Sequence, residues 1–218
     1  MPERINVPDN GTTTDLSPTV FVLYGATGDL ARRMVLPAFY QLAQHGLLPE
    51  DWRLIGSGRG ERSDEDFVDH VKSALEEFAS GTDDGPWEEF SQRLRFAGGG
   101  FTEEDPGQLL DAVSTARKEL GDGAQLVHYL SLPPKAFTGY TKAIGAHGLA
   151  EDARIVYEKP FGASPEGFRE LDSLVHSVFA EEQVFRIDHF LGKEGTQDLH
   201  ALRFANGLFE HILSLIHI

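Results

Sequence analysis

The chain has 218 residues, 40% of them apolar, and its 35 acidic residues outnumber 19 Lys and Arg to give a net charge of −16. This composition can bury a hydrophobic core, which excludes global disorder, and the negative charge argues against general binding of nucleic acid. The absence of cysteine excludes disulfides and thiolate metal sites. We find no secretory signal and no apolar run of ~18 residues, so we expect a cytoplasmic protein that does not span a membrane.

Apolar strands and helices alternate along most of the chain, after a polar tail at residues 1–17. Because the strands are continuously apolar, the pattern predicts an α/β fold with a doubly wound, mainly parallel sheet (Rossmann-like) and ligands at the carboxyl ends of its strands. The predicted strands are Thr19–Gly25, Trp52–Ser57, Leu94–Gly99, Gln125–Pro134, Arg154–Gly162 and Gln183–Phe190. The predicted helices are Asp29–His45, one capped by Ser63 with Asp66, Glu104–Leu120, Lys135–His147, and one opened by Ser164 and Pro165 that continues to Ala180.

The first predicted helix contains a proline. Leu30, Met34, Phe39 and Leu42 have the spacing of one buried face. Pro37 lies among them and has no N–H to donate, so we expect a kink there or a helix in two pieces.

A glycine-containing turn follows the first strand in the segment YGATGDLARRM. Gly25 and Gly28 bracket the turn, and the free N–H groups at the start of the next helix suit a pyrophosphate. Glycine allows the backbone to approach the phosphates closely. The spacing is Gly-x-x-Gly rather than the usual dinucleotide fingerprint, so an ordinary strand–helix turn is the alternative.

The end of the second strand indicates which dinucleotide binds. NAD sites usually place an acidic residue there, for the ribose 2′-hydroxyl. Here Arg59 follows the strand in GSGRGER, and Arg62 comes three residues later. A guanidinium can hold a 2′-phosphate through two hydrogen bonds, so the sequence predicts NADP, with Arg59 as the better candidate. The alternative is a pair of solvated surface arginines.

The last two strands end in charged residues. Lys159 follows Glu158 and is expected to point into the crevice, although a lysine that simply reaches water is the alternative. Asp188 and His189 are adjacent in an extended segment, so their side chains project to opposite faces. On a helix that begins near the following glycine, His189 and Lys193 could together hold a sugar-phosphate dianion. Asp188 is then free to orient a second histidine that acts as a base.

The other histidines give no catalytic or metal-binding signal. His128 lies in an apolar strand and is predicted to be a core residue, whereas His45, His70, His147 and His176 are predicted to be solvated. No pair has the spacing and flanking carboxylate of a helical zinc site, so we predict no metal.

Several segments together resemble one family. They are GATGDLARRMVLPAFYQL, IGSGR, YLSLPP, EKPFG, RIDHFLGKE and LRFANGLFE, and their order and spacing over about residues 19–210 resemble those of the glucose-6-phosphate dehydrogenases. The resemblance implies oxidation of D-glucose 6-phosphate at C1 to 6-phosphogluconolactone with hydride transfer to NADP, as in the pentose phosphate pathway. It also implies a homo-oligomer for the full-length enzyme.

The same resemblance implies roles for individual residues. It places Lys159 against both cofactor and sugar, and His189 and Lys193 on the sugar phosphate. Asp188 would support the base histidine, and the LSLPP segment would shape the wall near the nicotinamide, with a cis proline bond as one possibility. The implied cofactor contacts are Gly25, Ala26, Thr27, Gly28, Asp29, Leu30, Arg59, Pro133 and Lys159.

The end of the chain departs from the family pattern. We expect residues 18–188 to be the dinucleotide-binding domain and residues 189–218 the beginning of a substrate domain, whose base histidine lies further downstream in the family. The final HILSLIHI does not match the family, and we interpret it as a junction on an incomplete gene product, with a genuine short apolar helix as the alternative. We therefore expect little turnover from this chain alone. The rival functions are an inactive NADP-binding module and another NAD(P)-dependent sugar dehydrogenase.

Overall fold

The sheet at the centre of the fold has six parallel strands in the order β3-β2-β1-β4-β5-β6. A computed structural model describes residues 16–79, 87–121 and 123–188. Central β1 pairs in parallel with β2 on one side and β4 on the other. This is the strand order of a doubly wound sheet, so the predicted fold is confirmed. The strands are β1 Thr19–Tyr24, β2 Trp52–Ser57, β3 Leu94–Ala97, β4 Gln125–Leu130, β5 Ala153–Glu158 and β6 Val184–Ile187.

The helices of the described ranges begin where the sequence supplies caps. Ser63 Oγ accepts a hydrogen bond from Asp66 N at 3.1 Å, and the Asp66 carboxylate accepts one from Ser63 N at 3.2 Å. Ser164 Oγ accepts from Gly167 N at 3.0 Å. Both predicted caps are therefore confirmed. The α-helices are α1 Leu36–Gln44, α2 Asp64–Phe78, α3 Trp87–Gln92, α4 Leu109–Leu120, α5 Phe137–Ala146 and α6 Pro165–Val178.

The sheet is buried on both faces. Val22 and Tyr24 of β1 belong to a core that includes Phe137 of α5, whereas Leu23 belongs to a second core with Phe67 of α2. Successive residues of one strand point to opposite faces. A strand with a core on each side has to be apolar throughout, which explains the continuous apolar runs of the sequence.

The helix after β1 has two parts. A π-helical turn at Ala31–Val35 leads into α1, which has Pro37 near its start, so the predicted division near this proline is confirmed. A π-turn holds more residues than an α-helical turn and changes which side chains face the core. The predicted buried face is therefore wrong at Met34, which is 53% exposed, and Leu36 and Tyr40 are buried instead.

Other element boundaries also differ from the prediction. α4 begins at Leu109 rather than Glu104, because Gly107 N donates to Asp105 Oδ1 at 2.9 Å in a turn that interrupts the helix. β4 ends at Leu130, and a short 3₁₀ turn precedes α5. α3 was not predicted, since six residues are too few for a clear helical period.

Two compact units divide the chain, Met1–Phe185 and Arg186–Ile218. Strands β1 to β5 and helices α1 to α6 lie in the first. Within the described ranges, no helix combines the length and apolar character needed to cross a membrane.

Candidate functional site

Four strands end close together at the carboxyl edge of the sheet. Tyr24 of β1 is paired in register with Ser57 of β2 and Leu130 of β4, and Leu130 is paired with Tyr157 of β5. The order of the strands reverses between β1 and β4, which is where doubly wound sheets bind ligands. The predicted site residues that follow these strand ends are Gly25–Leu30, Arg59, Pro133 and Lys159.

The glycine turn is held by its neighbours on both sides. Gly25 N and Ala26 N donate to Ser57 O at 2.9 and 3.2 Å, and Gly28 N donates back to Gly25 O at 2.8 Å. Gly25 has φ +73°, and a Cβ built on it would lie 2.4 Å from Ser131 O. Glycine is therefore required at position 25 for both backbone conformation and space.

The start of the helix after this turn is open to an anion. The helix begins at Asp29, and no side-chain hydrogen bond caps the π-helical turn that follows. The first N–H groups of a helix have no partner within the helix, so they suit a ligand. Gly28 and Asp29 are exposed, and Thr27 and Leu30 are half-buried. Asp29 lies at this helix start and forms a long ion pair of 3.9 Å with Arg33, whose positive charge partly offsets the repulsion between the Asp29 carboxylate and a bound anion.

Arg59 lies two residues beyond the end of β2. Its side chain is exposed, and it forms no ion pair with any part of the chain that the structure describes. Burial raises the pKa of Tyr140, and the positive charge of Arg59 opposes that rise, so Arg59 acts electrostatically on this side of the crevice. Hydrogen bonds with Ser63 lower the pKa of Asp66, and the charge of Arg62 lowers it further, so Arg62 acts towards the start of α2.

The segment after β4 forms the opposite wall of the turn. Ser131 N donates to Tyr24 O at 3.1 Å. Pro133 has φ −59° and ψ 143°, and the cis bond considered for this segment is wrong: the cis peptide bond of the described residues is Lys159–Pro160. A residue before proline is held in extended conformation, which Pro133 adopts with trans bonds.

Ser131 borders the glycine turn, and the sequence analysis missed it. It is 6% exposed, and its Oγ is buried without a hydrogen-bond partner in the described part of the chain. Buried hydroxyls usually have a partner, so this one is an unused donor beside the glycine turn, where Ser131 O lies 2.4 Å from a Cβ built on Gly25. A serine at the end of an apolar strand was the available signal.

Lys159 lies beyond β5 at the same edge of the sheet, and it is exposed. The adjacent Glu158 is 4% exposed and accepts a hydrogen bond of 2.5 Å from the Tyr129 hydroxyl. Burial, this hydrogen bond and the charge of Glu158 all raise the pKa of Tyr129, so the phenol stays protonated and continues to donate. The strand end that presents Lys159 is therefore fixed to β4.

The predicted sugar-phosphate residues are only partly described. Asp188 follows β6 and is half-buried. His189 and Lys193 lie outside the described residues, so the prediction that they bind a phosphate together stays a prediction.

His128 is a core residue, as predicted. It is fully buried, with Nε2 2.9 Å from Leu149 O and Nδ1 3.0 Å from the Tyr24 hydroxyl. Because a carbonyl can only accept, Nε2 carries the proton and Nδ1 accepts from Tyr24. Burial lowers the pKa of His128 to about 4, so the ring is neutral at pH 7.

His70 differs from the prediction that it is solvated. It is half-buried, its ring stacks on Phe67, and Nε2 is buried without a hydrogen-bond partner among the described residues, beside the backbone of Ala26 in the glycine turn. Burial lowers its pKa, and the charges of Arg62 and Arg32 lower it further. Its position three residues after Phe67, on the buried side of α2, was the signal that could have identified this contact.

The arrangement fits a dinucleotide phosphate. Gly25 leaves space that a Cβ would fill, the helix start offers N–H donors, and Arg59 supplies a positive charge beyond β2. The protein has a net charge of −16, so these groups have to attract an anion locally.

Sequence comparisons identify the family to which this domain belongs. The family model described as "Glucose-6-phosphate dehydrogenase, NAD binding domain" matches residues 22–198. Glucose-6-phosphate 1-dehydrogenase 2 of Mycobacterium tuberculosis is 41% identical over 202 residues, which are 89% of this chain and 39% of the relative. The glucose-6-phosphate 1-dehydrogenase of Dickeya dadantii is 39% identical over 196 residues, 86% of this chain and 38% of the relative. The chain thus spans about two fifths of the length of these relatives.

Solved structures have the same fold. Glucose-6-phosphate 1-dehydrogenase from Mycobacterium avium superposes with a TM-score of 0.73 at 29% identity, over 90% of this chain and 41% of the other. A glucose-6-phosphate dehydrogenase in complex with its substrate glucose-6-phosphate superposes with a TM-score of 0.77 at 28% identity, over 89% and 41%. Since the family model matches residues 22–198, which are most of the chain, the chain belongs to the glucose-6-phosphate dehydrogenase family and carries its domain for a nicotinamide dinucleotide.

Proposed function

We propose that the whole protein oxidises D-glucose 6-phosphate at C1 to 6-phosphogluconolactone, with NADP as the hydride acceptor. Family membership supports the reaction, as does a neighbour solved in complex with glucose-6-phosphate. The observation that carries the choice of NADP is Arg59, an exposed guanidinium immediately beyond β2 where an NAD site usually has an acid. When bound, NADP supplies the acceptor for the hydride that leaves C1.

The proposed roles follow the order of the strand ends. The turn Gly25–Leu30 holds the pyrophosphate, Arg59 holds the 2′-phosphate, and Pro133 lines the nicotinamide end. Lys159 contacts both cofactor and sugar, and its exposure at the carboxyl edge supports that role. Asp188 orients the base histidine that takes the proton of the C1 hydroxyl.

His189 and Lys193 are proposed to bind the phosphate of the sugar. Residues 18–188 are proposed as the dinucleotide domain and 189–218 as the start of the substrate domain. The relatives are much longer than this chain, of which 202 residues match 39% of one relative. We therefore expect this chain to bind the dinucleotide but to turn over little by itself, and the full-length protein to form homo-oligomers.

Titration calorimetry of the 218-residue chain with NADP and NAD tests the cofactor. A charge-assisted hydrogen bond contributes about 1.5–3 kcal/mol, so Arg59→Ala should weaken NADP binding about tenfold or more and leave NAD binding nearly unchanged. Arg62→Ala is the matched control, since it removes an exposed guanidinium from the same loop. Equal affinity of the unsubstituted chain for NADP and NAD would count against the choice of NADP.

A chimera tests the reaction. Here the chain replaces the 202 matching residues of the Mycobacterium tuberculosis relative, and NADPH formation is followed by absorbance. We expect oxidation of glucose 6-phosphate and little oxidation of free glucose, and Lys193→Ala should raise KM for the sugar phosphate. Equal use of free glucose would favour another sugar dehydrogenase, and NADP binding without any turnover would favour an inactive binding module.

A further inference from the structure

The loop that carries Arg59 is built on the chain that follows β3. Gly58 N donates to Ala97 O at 3.3 Å, and Gly100 N donates to Gly58 O at 3.0 Å. The residue before Arg59 is thus hydrogen-bonded on both sides by the segment at the end of β3. This pairing extends the contact between the neighbouring strands β2 and β3 beyond the sheet.

The residues after Arg59 lie directly against a glycine of the same segment. A Cβ built on Gly98 would lie 2.8 Å from Gly60 O and 3.1 Å from Glu61 Cα. Any side chain at position 98 would therefore push residues 60 and 61 outward and carry Arg59 with them. A Cβ on Gly60 would meet nothing within 4 Å, so the crowding is specific to position 98.

Gly98 is in turn held by the residue before α4. Gly98 N donates to Gln108 Oε1 at 2.9 Å, and Gly98 O accepts from Gln108 N at 3.2 Å. Gly107 has φ +52°, and a Cβ on it would lie 2.5 Å from Gly100 O. The segment after β3 is therefore fixed to the start of α4, which packs on β1, β2 and β3.

The position of the Arg59 guanidinium depends on this backbone support. Its side chain is exposed and has no ion pair to hold it among the residues that the structure describes. Two parallel hydrogen bonds to a phosphate require a defined position and angle of the guanidinium. A backbone shift at positions 60 and 61 would misplace both bonds while leaving the glycine turn on β1 where it is.

We propose that Gly98 and Gln108 are positioning residues that hold the Arg59 loop in place and thereby determine discrimination between NADP and NAD. The inference rests on the proposed 2′-phosphate role of Arg59 and extends it to two residues that act through the backbone of its loop. It predicts that substitutions at both positions act on the 2′-phosphate alone.

The test uses the 218-residue chain with two probes, adenosine 2′,5′-bisphosphate and AMP, which differ only in the 2′-phosphate. Titration calorimetry gives the affinity for adenosine 2′,5′-bisphosphate divided by the affinity for AMP, which is called the affinity ratio. Gly98→Ala should lower this ratio about tenfold, as expected for the loss of a charge-assisted hydrogen bond. Gly60→Ala, which adds the same methyl group on the open side of the same contact, should change it less than about twofold.

Arg59→Ala, alone and combined with Gly98→Ala, separates the inference from the proposed function. If Gly98 acts through Arg59, the double variant should have the same ratio as Arg59→Ala alone. Gln108→Leu removes the acceptor for Gly98 N without adding bulk at position 98, and it should lower the ratio even if Gly98→Ala does not fold.

The possible results have distinct meanings. A ratio that falls with Arg59→Ala but not with Gly98→Ala or Gln108→Leu would overturn the inference and leave the 2′-phosphate role intact. An equal loss of affinity for both probes would also overturn it, because general loosening of the domain has that effect. A ratio that does not respond to Arg59→Ala would overturn the 2′-phosphate role and the inference with it.

Discussion

Replacing Gly25 with alanine tests how closely the dinucleotide turn is fitted to β4. Gly25 and Gly46 have similar left-handed φ values, +73° and +64°, so an alanine at either position costs about 1–2 kcal/mol in backbone conformation. A Cβ at Gly46 meets nothing within 4 Å, whereas a Cβ at Gly25 would lie 2.4 Å from Ser131 O and 2.9 Å from Leu132 Cδ2. Relief of that overlap requires a backbone shift, which adds about 1–3 kcal/mol.

We therefore expect Gly25→Ala to lower the free energy of unfolding by about 2–5 kcal/mol and Gly46→Ala by about 1–2 kcal/mol. Urea denaturation followed by circular dichroism measures both variants. Gly25→Ala should also weaken NADP binding, since the turn moves, whereas Gly46→Ala, beyond the end of α1, should not. If the two variants lose the same stability and bind NADP equally well, the argument from close contact with Ser131 is wrong.

Two further predictions concern the core. Burial lowers the pKa of His128 from 6.5 to about 4. The folded protein should therefore lose about 3 kcal/mol of its free energy of unfolding as the pH falls from 6.5 to 4. Urea denaturation should show this loss in the wild type and in the exposed-site control His45→Asn, but not in His128→Asn. A Cβ on Gly56 would lie 2.4 Å from the Phe67 ring, so Gly56→Ala should lower the free energy of unfolding by about 1–3 kcal/mol. Because the smaller leucine relieves that overlap, Phe67→Leu should destabilise the Gly56→Ala variant less than it destabilises the wild type. A Cβ on Gly123 would meet nothing within 4 Å, so Gly123→Ala should leave the free energy of unfolding nearly unchanged. An equal loss of stability at positions 56 and 123 would contradict the packing argument.

The fold could be predicted because its signals are local and repeated. Apolar strands bounded by glycine or proline, with caps such as Ser63 and Ser164, define the alternating pattern without tertiary information. The buried face of the first helix could not be predicted in the same way. The π-helical turn at Ala31–Val35 changes the register, and the spacing of apolar residues assumes a regular α-helix.

Some residues of the candidate site could likewise be proposed from local sequence signals, and others could not. Gly25 and Arg59 could be proposed from the sequence because ligands bind beyond the carboxyl ends of the strands in a doubly wound sheet. Ser131 and His70 were missed although each has a local signal, because their placement depends on contacts between distant segments. Ser131 Oγ is a buried hydroxyl without a partner among the described residues, and His70 of α2 lies beside Ala26 of the glycine turn. The support of Arg59 by Gly98 likewise depends on the distance between two loops.

The glycine turn has a consequence that reaches beyond the crevice. Ser57 O holds it from β2, while Ser131 O and Leu132 border it from β4. The turn therefore lies on the seam between the two halves of the sheet, and its shape depends on how those halves are aligned. Some substitutions far from the ligand would let one half of the sheet move relative to the other. Such substitutions should reduce dinucleotide affinity before any unfolded protein is detectable. Dinucleotide affinity would therefore report small changes in the alignment of the sheet.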